Sequence, residues 1–91
     1  MAIARVFDGP GWTADQYGEL IERMGFGGHS APGVLFHWAT VTEEGIRATD
    51  VYATQEDADR LAAESVGPLA AELGLAPPTV SQYAVLRYLE P

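Results

Sequence analysis

His37 stands in the middle of an apolar run, residues 34–41, between Phe36 and Trp38. An imidazole in such a run must find a hydrogen-bond partner or open into a cavity, because an unpaired buried polar group is costly. Its ordinary pKa, near 6.5, lets the neutral ring take up a proton around neutral pH. The chemistry on offer is general-base proton abstraction. Asp50 and Tyr52 lie two residues apart in the next strand-like run, residues 46–53. Strand alternation puts both on one face with Ile46 and Ala48. Pairing the two runs about the loop 42–45 sets His37 opposite a residue near Asp50, within about 5–8 Å. Asp50 would then orient His37 or itself act as base, while Tyr52 lines the pocket and offers a hydroxyl. The plainer alternatives are a satisfied core or interface histidine, and an aspartate paired with an arginine across an interface.

Other residues frame this pair. Leu35 shares the alternation of His37, and Gln82 and Leu86 in the last strand are candidate pocket walls. Trp12 and Tyr17 flank a helix start and read as a hydrophobic staple. Trp38 reads as core, Arg47 as strand-end or surface, and His29 as a loop residue able to gate an opening. The sharper signals are absent. No phosphate loop or dinucleotide fingerprint accompanies the Gly27-Gly28 stretch, and no serine sits in a nucleophile elbow. The spacing of His29, His37 and Asp50 supports no metal site, and cysteine is missing altogether.

Residues 3–7 read as a strand ending at the turn residues Asp8-Gly9-Pro10-Gly11. Thr13-Ala14-Asp15-Gln16 is a capping box, and Tyr17, Leu20, Ile21 and Met24 continue as one helical stripe closed by Gly25. Residues 34–41 read as a central strand, followed by a hairpin to 46–53. Thr54 caps a second helix that Gly67-Pro68 should kink or split. Residues 80–89 form the last strand. The result is a single α+β domain over residues 1–91 in the ferredoxin-like order β-α-β-β-α-β. Right-handed crossovers place both helices on one face of a four-stranded antiparallel sheet.

The other face has no helix to cover it. Four strands of roughly 20 Å at about 4.8 Å spacing expose about 400 Å², much of it apolar, and a second copy packed sheet to sheet is the simplest cover. Leu35, His37 and Ala39 are assigned to the space between the two sheets, because the bulkier Val34, Phe36 and Trp38 suit packing against helices. The formal net charge of −8, from thirteen acids against five arginines and no lysine, disfavours nucleic acid and anionic membranes. No stretch is long and apolar enough to cross a bilayer, and no signal peptide is visible, which suggests a cytoplasmic protein.

Val6-Phe7-Asp8-Gly9-Pro10-Gly11 with Thr13, Leu35-Phe36-His37, the run from Arg47 to Tyr52, Asp57 to Leu61, and Gly67-Pro68 leading to Glu72-Leu73-Gly74-Leu75 span nearly the whole chain in order. In these segments the chain resembles the dimeric α/β-barrel superfamily, especially the small antibiotic-biosynthesis-monooxygenase-like proteins of actinobacteria. The resemblance implies a homodimer and a range of activities that includes cofactor-free oxygenases, isomerases and cyclases. The haem-degrading relatives carry a histidine on the second helix, which this sequence lacks. The leading expectation is a cofactor-independent, metal-free enzyme acting on a small aromatic or polyketide-like molecule through His37 and Asp50, with Leu35, Tyr52, Gln82 and Leu86 as substrate contacts. The alternative is a non-catalytic ligand-binding or partner-assisting homodimer.

Overall fold

The capping box sets the start of the first helix. The Thr13 hydroxyl accepts the Gln16 amide at 3.1 Å, and the Gln16 side chain accepts the Thr13 amide at 3.0 Å, so α1 (Ala14–Met24) begins there. It ends at Gly25, whose φ of 79° suits a residue without Cβ. The computed structural model describes residues 2–25 and 32–87. His29 therefore lies outside the described residues, as does the end of the last expected strand.

The remaining elements are β1 (Ile3–Pro10), β2 (Val34–Val41), β3 (Gly45–Tyr52), α2 (Gln55–Leu61), α3 (Gly67–Glu72) and β4 (Thr79–Ala84). They form one antiparallel sheet in the order β2-β3-β1-β4, the ferredoxin-like arrangement. β1 runs three residues beyond the expected stop because Asp8, Gly9 and Pro10 still pair with Arg47, Ile46 and Gly45. Pro10 is tolerated because it closes the strand, where its missing amide leaves no gap in the ladder. β2 is an edge strand of the chain's own sheet and not the expected central one; β3 and β1 occupy the middle.

The second helical stretch is irregular next to Gly67-Pro68, as expected, though no non-helical gap opens there. Residues 62–66 form a π-helical turn between α2 and α3, and backbone angles stay helical through Leu61, Ala62, Val66 and Gly67. Gly67 donates to the Ala62 carbonyl five residues back, the wider turn that relieves the clash a proline makes with the preceding turn. Because this adjustment is already made, Pro68→Ala should change stability by less than about 1 kcal/mol, against about 3 for a proline within a regular helix. Urea unfolding checks this, and a loss beyond that range would mean the proline is itself needed to place Leu69 and Leu73.

The helices cover one face of the sheet with two apolar clusters. Trp12, Leu20 and Ile46 are buried together, with Tyr17, Leu69, Leu73 and Leu75 against them. Tyr52, Ala58 and Leu61 form the other, with Ile3, Met24, Val34 and Val66. The Trp12 indole also donates to the Ala76 carbonyl at 2.9 Å, so this residue anchors the core rather than a staple alone. It lies flat on Gly9, where a Cβ would fall 2.3 Å from the indole Cδ2. Gly9→Ala should therefore destabilise the fold by about 1–3 kcal/mol as the ring is displaced, measurable by thermal or urea unfolding.

Candidate functional site

On β3, Ile46 belongs to one apolar cluster and Tyr52 to the other, and Asp50 lies between them on the same face. Only 7% of Asp50 is exposed. Its carboxylate is fully engaged: Oδ1 meets His37 Nδ1, and Oδ2 accepts the Tyr52 hydroxyl at 2.8 Å. The His37 pairing follows from strand register, since His37 and Asp50 are direct partners across β2 and β3. The other ring nitrogen, Nε2, meets the Tyr17 hydroxyl from α1, with the two rings nearly parallel and their centres 6.1 Å apart. Four residues from three elements thus make one hydrogen-bonded chain, Tyr17–His37–Asp50–Tyr52.

Hydrogen-bond roles follow from donor and acceptor capacity. A carboxylate only accepts, so Nδ1 carries the proton shared with Asp50. In the neutral ring Nε2 is then a lone pair, which accepts from the Tyr17 hydroxyl. The Asp50 hydrogen bond raises the His37 pKa above its ordinary value; burial opposes this, and the charge of Asp50 reinforces it. Burial, with Asp50 nearby, pushes the Tyr17 hydroxyl up to about 12. Burial and Asp50 likewise push the Tyr52 hydroxyl well above the usual tyrosine range. Both phenols therefore remain protonated donors at neutral pH.

β1 extends this polar row across the sheet. Arg5 pairs in register with Asp50 on one side and Gln82 on the other. Its guanidinium is held by Gln82 at 2.9 Å and by Asp59 of α2 at 2.6 Å, and Gln82 in turn donates to Gln55 at 2.7 Å. Asp59 is held below the usual carboxylate range by Arg5 first and Gln55 second.

The face expected for His37 is corrected. It points to the helix-covered side, at Tyr17, and not into a space between two sheets. The cause is register: His37 lies directly opposite Asp50 of β3, the strand that turns Ile46, Asp50 and Tyr52 to the helices, and so shares that face. Further along β2, Val34 pairs with Tyr52 and Phe36 with Val51, which leaves Leu35 as the extra residue of a bulge. The bulge turns Val34 into the helix-side cluster, on the face that His37 takes by register, while Phe36 and Trp38 take the opposite face. Trp38 is 52% exposed and not core. Leu35 and Leu86 are also separated from His37. Leu86 lies past the end of β4, fully exposed, and with Leu35 it lines a shallow depression bordered by Ala2, Ala53, Val85 and Arg87. Gln82 shares the helix-side row but serves Arg5. Tyr52 is 1% exposed and faces Asp50, so it lines no open pocket.

Two residues of the network went unread in the sequence. Tyr17 lies on the same helical stripe as Leu20 and so looks toward the sheet, a signal that was present; Arg5 gave none beyond its place in a strand. Arg47 lies on the uncovered face as expected for a surface residue, paired with Asp8 at 2.6 Å. Among the described residues, no group of three or more His, Asp or Glu side chains is placed to hold a metal ion, and no helix is long and apolar enough to cross a membrane.

Solved structures supply the comparison. The cofactor-independent oxygenase SnoaB from Streptomyces nogalater superposes in two forms with TM-scores of 0.63 and 0.62, at 17% and 15% identity, over 99% of this chain and 96% of that one. A Deinococcus radiodurans protein provisionally named an antibiotic biosynthesis monooxygenase superposes with a TM-score of 0.64 at 13% identity, over all of this chain and 98% of that one. The chain has the fold of these monooxygenases. No protein-family model matches it, and no curated protein matches it by sequence. The monooxygenase fold thus extends over essentially the whole length of both partners, at an identity that speaks for architecture alone.

Proposed function

We propose that this chain is a cofactor-independent, cytoplasmic enzyme that removes a proton from a small aromatic or polyketide-like molecule, with His37 as base and Asp50 as its positioning residue. The observation that carries this reading is the His37–Asp50 pair. Asp50 holds the proton on Nδ1, which leaves Nε2 as the basic nitrogen; Asp50 is buried, while the His37 ring is partly exposed and so open to a substrate from outside. An activated C–H would give its proton to Nε2 and leave a carbanion or enolate. With dioxygen, an enolised methylene would pass through a hydroperoxide to a ketone, R2CH2 + O2 giving R2CO + H2O, with the two C–H bonds as the source of electrons. Rearrangement or cyclisation would start from the same anion. The names of the structural neighbours favour oxygenation among these outcomes. We take the active form to be a homodimer joined by the uncovered sheet face, where Trp38 and Tyr83 are 52% and 60% exposed.

Oxygen uptake tests the reading. A tricyclic aromatic ketone with an enolisable methylene, such as anthrone, should be consumed with one dioxygen per molecule, faster with the protein than in buffer. A rate equal to that of buffer across a panel of such ketones would contradict it.

A second reading has one observation in its favour: Tyr17 already occupies Nε2, as it would in a ligand-binding protein whose histidine is merely satisfied. Under the catalytic reading the Tyr17 hydroxyl must yield its place to substrate. Tyr17→Phe should then keep or raise turnover and lower KM, since nothing has to be displaced. An unchanged capacity to bind such ketones without any turnover, in both the parent and Tyr17→Phe, would select the binding protein.

A further inference from the structure

The way Asp50 is held points to a role for Tyr52 that its burial would otherwise hide. We infer that Tyr52 is a positioning residue of the site: its hydroxyl fixes the Asp50 carboxylate and moderates the pull of that carboxylate on His37. This rests on the catalytic reading of His37, though its test does not. Oδ1 and Oδ2 are divided between two partners, His37 and Tyr52, so the carboxylate plane is defined by both. The Tyr52 ring is 1% exposed among Ala58, Leu61, Ile3 and Val34, so the hydroxyl is delivered from a rigid base. A donor on one oxygen of a carboxylate draws negative charge toward itself and weakens the other oxygen as an acceptor. Removing it should concentrate charge on Oδ1, which faces the imidazole.

The other groups around the pair are accounted for. α1 contributes Tyr17, on Nε2; β1 contributes Arg5, taken up by Gln82 and by Asp59 of α2. None of these donates to Oδ2, where Tyr52 is the donor. A phenylalanine at this position would keep the buried ring and lose only the hydroxyl, so the change is confined to the carboxylate.

The experiment is an NMR titration of the His37 ring in the intact protein, with no substrate present. In Tyr52→Phe the His37 midpoint should rise by roughly half a pH unit, a change of about threefold in proton affinity. In an Asp50→Asn background the same substitution should leave the midpoint where it was, because the effect passes through the carboxylate. Should Tyr52→Phe fail to fold, 3-fluorotyrosine at position 52 serves instead; its stronger donor should lower the midpoint. A midpoint that stays put or falls in Tyr52→Phe, or that shifts equally with and without Asp50, would overturn the role. If the titration behaves as expected while no ketone is turned over, the hold of Tyr52 on Asp50 stands and the catalytic reading falls; the reverse pattern removes the Tyr52 role alone.

Discussion

Asp50→Asn should cut proton abstraction by about a hundredfold or more. An asparagine amide can turn its N–H toward Nδ1, which forces the ring proton onto Nε2 and removes the lone pair the reaction needs. The overall shape should survive, because asparagine is nearly the same size and can still accept from Tyr52. The same substitution should lower the His37 midpoint, since the hydrogen bond that His37 donates to Asp50 is the largest cause of its elevation. Stability should register the loss with a definite sign. The folded His37 pKa is raised, so the imidazolium–Asp50 pair stabilises the fold in full below about pH 6.5, the value for an unfolded chain, and this increment fades as pH rises through the folded midpoint. The stability gap between parent and Asp50→Asn should therefore be wider at about pH 6 than at about pH 9. Urea unfolding at the two values measures it; a gap that widens with pH would place the proton elsewhere.

Trp38→Glu should separate the proposed dimer. Its pairing with Thr49 puts Trp38 on the face without helices, where half of its surface is exposed and Tyr83 also stands out. Against a second copy, an indole there would be a central apolar anchor, and a carboxylate in its place would be desolvated without a partner. Sedimentation should give twice 9.7 kDa for the parent and 9.7 kDa for the variant. The His37–Asp50 pair lies on the other face, so its NMR titration should persist in the variant. A parent that sediments at 9.7 kDa at every concentration would remove the dimer.

Most of the architecture was legible because it is written in local chemistry. Thr13 with Gln16, Thr54 with Asp57, and Gly25 each cap a helix through contacts within three residues. The partnership of His37 with Asp50 was legible for a related reason: a short hairpin loop sets the register, and register sets neighbours. The face that partnership occupies was not legible. Register makes His37 share the face of Asp50, but which face the helices cover is set by tertiary packing, and nothing in Val34-Leu35-Phe36 announces the bulge that turns Val34 to the helix side. The same pairing, with Trp38 opposite Thr49, puts Trp38 on the open surface and not in the expected core. Bulk misled here, because β2 lies at the sheet edge and the helices cover the central strands. Tyr17 and Arg5 join the site through contacts 20 and 54 residues apart in sequence, set by how α1 and α2 lie on the sheet. Pro68 signalled an irregularity correctly, and it takes the form of a π-turn between α2 and α3 with the backbone angles staying helical at the joins.

Anaerobic hydrogen–deuterium exchange tests the role of His37 most directly, because it isolates proton abstraction from everything that follows. In deuterated buffer under argon, the protein should speed exchange of the methylene protons of anthrone, followed by NMR. His37→Ala should slow that exchange by about 10²–10⁴-fold, down toward the rate of buffer, while its circular dichroism stays that of the parent. Exchange by His37→Ala at the parent rate would show that the proton goes to another group and that the His37–Asp50 pair is structural.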